Sequence, residues 1–235
     1  MVARGRGDRF TQDVFRSLPD PEQALIDRFS TRSVALAPNR DLVSAGEVGV
    51  GLFNIERGWA YRFRRGANGC RQILDFVLPG EIVGLQATLL GVIEHSARSL
   101  TALRVTALDA RLVGAAFRGE PGLALRLAQH VAAEASRVDE LLTVIGCCGA
   151  LERLAYLMMS LYRRQARRGV IDPLACPFPL RRQHIADVLG LTGAHVNRTL
   201  NRLRTDGIAL VENQHLSVRD FARLAALAGS EPREP

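Results

Sequence analysis

Residues 177–217, PFPLRRQHIADVLGLTGAHVNRTLNRLRTDGIALVENQHLS, decide how this chain is read. A short helix is expected first, with Ile185, Val188 and Leu189 on one face. Gly190 ends it, because a residue without a Cβ can take the positive φ of a sharp turn. Leu191 plugs that turn from below. Thr192 suits the N-cap of a second helix, since its hydroxyl can accept an orphan backbone N–H. Val196, Leu200 and Leu203 then recur at i, i+4, i+7, one apolar stripe. At 100° per residue the opposite face carries Ala194, Arg198, Asn201 and Thr205, flanked by Asn197, His195 and Arg202. Asp206-Gly207 turns the chain. Two short strands, near Ile208–Val211 and His215–Val218, would form a small hairpin around Asn213-Gln214. The order is helix, turn, helix, wing.

The exposed face of the second helix points to DNA. Arginine can bond a guanine edge bidentately and asparagine an adenine edge. Base reading is therefore expected from Arg198, Asn197 and Asn201, with Gly193 and Ala194 at the helix start. Helix N-terminal amides and Thr192 suit phosphate oxygens. Residues 178–205 hold five arginines and one aspartate, a local charge of +4. The alternative is a surface helix pair with solvated charges.

The rest of the composition agrees. The chain has 235 residues, 47% hydrophobic, with a net charge of +7. That length allows one large or two small domains with a real core, and the charge favours a polyanionic partner. No apolar run approaches the ~20 residues of a membrane span. The first residues carry charge without an apolar core, so no signal peptide is expected and the protein is placed in the cytoplasm. Four cysteines (70, 147, 148 and 176) are too few and scattered for a disulfide framework.

Upstream, residues 1–18 read as a tail. Asp20-Pro21-Glu22-Gln23 starts a helix that buries Leu25, Ile26 and Phe29. From Ser33 to about Leu112 the period falls to two. Trp59 to Arg64 alternates aromatic with small or basic residues, Gly66-Ala67-Asn68-Gly69 is a hairpin turn, and Arg71 to Val77 returns. Leu78-Pro79-Gly80-Glu81 turns again, and Ser99 to Leu108 reads as one strand. Evenly spaced short strands suggest a β-roll or jelly roll.

From Pro121 to Cys148 the period becomes helical. Leu127, Val131, Glu134, Val138, Leu141 and Ile145 step by 4, 3, 4, 3, 4, the spacing of a coiled-coil seam. A parallel homodimer is expected along it, with packing against the chain's own roll as the alternative. Glu134 would cost stability or set register. Ala150 to Arg168 is a further amphipathic helix, its last turn holding Arg163, Arg164, Arg167 and Arg168 before Gly169. Asp172-Pro173 turns the chain, and Phe221 to Ala228 closes it. The expected class is α+β. A tail and short helix (1–32) precede a β-roll (33–117), a dimerisation helix (118–148), a winged helix-turn-helix (149–228) and a tail (229–235).

This order resembles the cyclic-AMP receptor/fumarate-nitrate regulator family of bacterial transcription factors. The likeness spans about residues 20–225. It is carried by Leu78-Pro79-Gly80-Glu81-Ile82-Val83-Gly84, His95-Ser96, Ala150-Leu151-Glu152-Arg153-Leu154-Ala155, Arg182 through Thr192, and Val196-Asn197-Arg198-Thr199-Leu200. The resemblance implies that Arg198 reads a base, that Thr192, His195, Arg182 and Gln183 lie near phosphates with Arg202, and that Gly84, Leu85, His95 and Ser96 face an effector pocket. It implies a double-stranded DNA partner, a palindromic operator and RNA polymerase as a candidate partner.

Two departures stand out. Cyclic-nucleotide-binding members carry Gly-Glu where this chain has Gly84-Leu85, and Arg-Ser where it has His95-Ser96. Losing the Glu acceptor and the permanent Arg charge should weaken such binding badly, so no cyclic AMP response is expected. The first cysteine is Cys70, so the N-terminal cysteine cluster of the iron–sulfur branch is missing. The chain looks most similar to the cluster-less members. The recognition helix also has Gly193-Ala194 where relatives often place an acidic reader of cytosine.

Other constellations are weaker. Cys147-Cys148 between two glycines reads as two buried thiols at a helix junction, or as a redox hinge. Cys176 reads as a packing residue. The five histidines (95, 130, 184, 195, 215) lack metal spacing, so no metal is expected. Asp75, Glu81 and Asp109 read as turn and edge residues, and no catalytic set is visible. The competing functions are a cupin-like β-roll enzyme and a module whose basic helices bind an acidic partner.

Overall fold

The computed structural model describes residues 20–49, 51–166 and 175–229. The chain forms two compact units, Met1–Arg137 and Val138–Pro235.

The first unit opens with α1 (Asp20–Phe29), which buries Ile26 while Leu25 and Phe29 pack beside it. Eight strands follow: β1 (Ser30–Leu36), β2 (Asp41–Val43), β3 (Leu52–Arg57), β4 (Ala60–Arg65), β5 (Arg71–Val77), β6 (Ile82–Val83), β7 (Ser96–Ser99) and β8 (Leu103–Leu108). The helix α2 (Leu85–Leu90) lies between β6 and β7, and α3 (Arg111–Gly119) follows β8. Two antiparallel four-stranded sheets result, ordered β1-β8-β3-β6 and β2-β7-β4-β5. Both contribute to one interior cluster, with Val43, Ala60, Val77 and Ala97 from one sheet and Ile55, Val83, Leu103 and Val105 from the other. The strands form the expected roll.

The sequence suggested a single strand over Ser99–Leu108; the chain instead breaks at Leu100–Ala102. There it turns onto the corner before β4. Leu100 N–H donates to Trp59 O at 2.8 Å and Trp59 N–H donates to Thr101 Oγ1 at 2.9 Å. Gly58 allows that approach: its φ is +84°, and a Cβ would collide with the Ala102 carbonyl. The alternation over Trp59–Arg64 does not expose the first four residues of β4, and only Arg64 and Arg65 at its end are exposed. Ala60, Tyr61, Arg62 and Phe63 are all buried. Arg71 covers the Tyr61 ring at 5.3 Å, and Arg65 and Arg98 cover Phe63 at 5.6 and 5.4 Å.

The long helix α4 runs from Pro121 to Cys147, 27 residues, and the division between units falls within it. Its Leu123 and Leu127 complete a second core cluster with Ile26, Leu52, Ile82, Leu85, Leu108 and Leu112. Glu22 of α1 lies against Gly122, and its carboxylate is 3.6 Å from Arg126.

In the second unit, α5 (Ala150–Ala166) precedes β9 (Ala175–Pro177), α6 (Arg182–Leu189), α7 (Gly193–Thr205), β10 (Ala209–Glu212), β11 (His215–Val218) and α8 (Phe221–Leu227). The sheet order is β10-β11-β9, all antiparallel. Leu154, Leu157, Met158, Leu161 and Tyr162 of α5 are buried. So are Phe178, Ile185, Val188, Val196, Leu203, Leu216 and Leu224. Arg164, in the last turn of α5, is buried too. The tail over 1–18, Arg167 to Gly169 and Asp172-Pro173 lie outside the described residues.

Candidate nucleic-acid interface

The turn between α6 and α7 is built by local chemistry. Gly190 has φ 63° and its N–H closes on Ala186 O, while Leu191 N–H reaches the same carbonyl at 3.1 Å. Thr192 is the extended N-cap, its Oγ1 accepting from His195 N–H at 3.3 Å. At the other end of α6, His184 Nδ1 accepts the Arg181 N–H at 3.1 Å. Arg153 of α5 braces the pair by donating to Leu189 O at 3.1 Å and to Cys148 O at 2.8 Å. It was visible only as part of a motif. Its role comes from a contact 36 residues away in sequence.

The buried side of α7 is Val196, Thr199 and Leu203, with Leu200 half-buried. Gly193, Ala194, His195, Arg198, Asn201, Arg202, Arg204 and Thr205 are exposed, as are Arg182 and Gln183 of α6. Thr192 and His195 are held together, with Oγ1 and Nδ1 3.0 Å apart. Gln183 donates to Asp187 at 2.6 Å, which occupies the acidic side chain of α6. Arg202 pairs loosely with Asp206 at 3.7 Å.

One expected reader is displaced. Asn197 is half-buried, and its Oδ1 is buried without a hydrogen-bond partner. A bidentate adenine contact needs both ends of the amide; Asn197 has one end buried, whereas Asn201 is exposed. The wing turns at Asn213 and Gln214, both with positive φ (49° and 63°) as a two-residue hairpin requires.

The expected effector residues have different surroundings. Gly84 caps α2 with φ 99°, tight against the Gly51 carbonyl, and Leu85 is sealed in the second core cluster. A cleft of about 570 Å³ is lined by Ala45, Phe63, Arg64, Ile93, Glu94 and Ser96, so only Ser96 of the four lines it. Within the cleft wall Arg64 pairs with Glu94. His95 is buried, 5% exposed, with an unpartnered Nε2. Burial and the nearby Arg62 and Arg64 charges push its pKa down from 6.5 to about 4. The ring is neutral at physiological pH. A histidine with a depressed folded pKa binds its proton more readily when unfolded. It therefore adds stability above 6.5 that is lost as pH falls toward 4. Between pH 7 and 5 the loss is expected to be about 1–2 kcal/mol. Urea titrations across that range should show it, and His95→Gln should flatten the slope.

Along α4 the proposed seam divides. Leu127 is 1% exposed inside its own chain's core, and Val131 packs against the same cluster. Glu134 is 6% exposed and pairs with Arg62 at 3.3 Å, so it is a partner for the roll rather than a flaw in a seam. Leu141 is 9% exposed and Ile145 half-buried, while Val138 remains exposed. Besides Val138, the helix's open apolar positions include Leu125, Ala128, Ala132, Ala135 and Leu142, with Leu125 and Leu142 58% and 70% exposed. Asp75, read as an edge residue, is buried against Arg137 at 2.8 Å. Glu81 is buried as well and accepts the Leu78 N–H at 2.8 Å.

Of the cysteines, Cys147 is exposed rather than buried, and Cys176 is buried on β9. Burial raises the Cys176 pKa to about 11, which keeps it a thiol. No described helix is long and apolar enough to cross a membrane.

A β-roll joined through a long helix to a capped helix-turn-helix and wing defines a winged-helix DNA-binding protein with an N-terminal roll. Residues 152–227 match the Crp-like helix-turn-helix domain, and residues 33–119 match the cyclic nucleotide-binding domain. The transcriptional activator protein FnrL of Cereibacter sphaeroides is 30% identical over 168 residues, covering 70% of this chain and 67% of FnrL. The nitrogen fixation regulation protein FixK of Bradyrhizobium diazoefficiens is 28% identical over 200 residues, covering 85% and 83%. The structure of FixK2 from Bradyrhizobium japonicum superposes with a TM-score of 0.75 at 23% identity, over 83% of this chain and 96% of that one. The chain belongs to the Crp/Fnr family of transcription regulators.

Proposed function

We propose that two copies of this chain grip one palindromic operator, each laying α7 in a major groove, and that cyclic AMP is not required. The observation that carries this is the α7 face, on which Arg198 and Asn201 are exposed beside Ala194 and no carboxylate interrupts them. Thr192, His195, Arg182, Gln183 and Arg202 flank it as phosphate contacts. A symmetric reader places half-sites about one helical turn (~34 Å) apart. The stripe Leu125, Ala128, Ala132, Ala135 and Leu142 steps by 3, 4, 3 and 7, which is heptad spacing on an exposed face. It is the seam we assign, in place of the buried set. Small residues at its centre let two helices approach closely.

The lack of a cyclic AMP response rests on Leu85 and His95. A core leucine offers the ribose no acceptor, and a neutral buried imidazole offers the phosphate no charge. The protein acts by binding, in the cytoplasm with the chromosome, and RNA polymerase is the partner an activator or repressor of this class would meet.

Selection from random duplexes tests the reading. The purified protein without added nucleotide should enrich a two-fold site and lose affinity steeply as salt rises, because released counterions drive part of binding. Enrichment of no common sequence, or enrichment only with cyclic AMP present, would overturn it.

A further inference from the structure

Three buried charges and a fourth, half-buried one meet where β4 and β5 face α4. Arg62 and Asp75 come from the roll, Glu134 and Arg137 from the helix. They pair crosswise. Arg62 lies 3.3 Å from Glu134, and Arg137 donates from Nε to Asp75 at 2.8 Å. A weaker tie of 3.8 Å joins Arg62 to Asp75. Each side thus offers one cation and one anion to the other. His130, one turn before Glu134 and 3.6 Å from it, also reaches the Ile82 carbonyl at 3.3 Å. The desolvated Arg137 stays charged because Asp75, Glu81 and Glu134 surround it. Among the described residues, Arg62 Nε and Nη2, Arg137 Nη1, His95 Nε2 and His130 Nδ1 are buried without a hydrogen-bond partner. Charge pairing, more than complete hydrogen bonding, therefore holds the cluster.

We propose that this crossed pair of ion pairs is a built-in clamp that fixes α4 on the roll, so that a diffusible effector is not needed to do so. The proposal rests on the dimeric DNA-binding reading and adds its regulation. Ala132 and Ala135 of the exposed stripe share the same two turns of α4 with Glu134 and Arg137. Whatever seats those two charges also sets the rotation at which the stripe faces a second copy. Removing Arg137 takes from the buried Asp75 its shortest ion pair and leaves it the weaker one to Arg62, a costly state that movement of the helix relieves.

The clamp predicts that a small cation can be made into an effector. Arg137→Ala should stay folded, with the near-UV circular dichroism of the roll retained. Its operator affinity should fall by about tenfold or more, and amide exchange in α4 should quicken. Methylguanidinium at millimolar concentration should restore both readouts, whereas sodium at equal ionic strength should not. The wild type should ignore methylguanidinium. If Arg137→Ala does not fold, Asp75→Asn with Arg137→Gln serves instead: each single change should weaken operator binding more than the double. Operator affinity and α4 exchange unchanged in a folded Arg137→Ala would overturn the clamp. So would loss without any rescue together with additive effects in the Asp75/Arg137 pair. A wild type that selects no operator at all would instead defeat the DNA-binding reading on which the clamp depends.

Discussion

A Leu125→Glu/Leu142→Glu double variant is expected to be a folded monomer that has lost operator binding by on the order of a thousandfold or more. Both side chains are largely exposed on the single chain, so their replacement removes nothing from its core. In a paired helix each would bury apolar surface worth about 2 kcal/mol, and the substitution also sets like charges across the seam. Without a partner, one α7 keeps only its own half-site, and the second recognition helix is no longer delivered at high effective concentration. Light scattering with size-exclusion reads the mass, and gel shift on the selected operator reads the affinity. Leu127→Ala provides the contrast. That side chain is 1% exposed within the chain's own core, so its truncation should cost about 2–5 kcal/mol of folding stability while the remaining folded protein still pairs. A double glutamate variant that stays dimeric would rule out this stripe as the seam.

The contrast shows where sequence reading was sufficient and where it failed. The helix-turn-helix was legible because each of its signals is local. Gly190 supplies the left-handed turn, Thr192 the cap, and Asn213-Gln214 the wing's reversal, all within four residues of the bonds they make. The helix α4 carries two interleaved heptad series, one through Leu127, Val131 and Glu134 and one through Leu125, Ala128 and Ala132. Periodicity cannot say which faces inward. The choice is made by Arg62, Asp75 and Ile82, residues 48 to 72 positions earlier in the chain. The same distance hid the clamp. An arginine between Tyr61 and Phe63 looks like the wet half of an alternating strand until the partner carboxylate on α4 is known. The effector positions are hard to read for another reason. Gly84-Leu85 and His95-Ser96 correspond to the family's pocket residues by likeness alone, and the substituted side chains follow their own chemistry: Leu85 enters the core and His95 is buried neutral.

Arg198→Ala is expected to cost about 1–3 kcal/mol on each cognate half-site, roughly five- to 150-fold in affinity. Arg198 lies one turn beyond Ala194 on the exposed face of α7, and among the described residues no carboxylate pairs with it as Asp206 does with Arg202. Its planar fork matches the O6 and N7 of a guanine, so the loss should fall on one base position and not on duplex DNA at large. Arg182 gives the comparison. It is exposed at the start of α6, where a phosphate contact would weaken cognate and random DNA alike and lower the salt slope by about one when removed. The two variants thus separate reading from holding. Arg198→Ala should relax the selected sequence at a single symmetric pair of positions, with little change in salt slope. Arg198→Lys keeps the charge but loses the bidentate fork, so it should leave the sequence preference relaxed at the same position. If selection with Arg198→Ala returned the wild-type sequence unchanged, the base-reading role would pass from Arg198 to another exposed residue of α7, with Asn201 the first to examine.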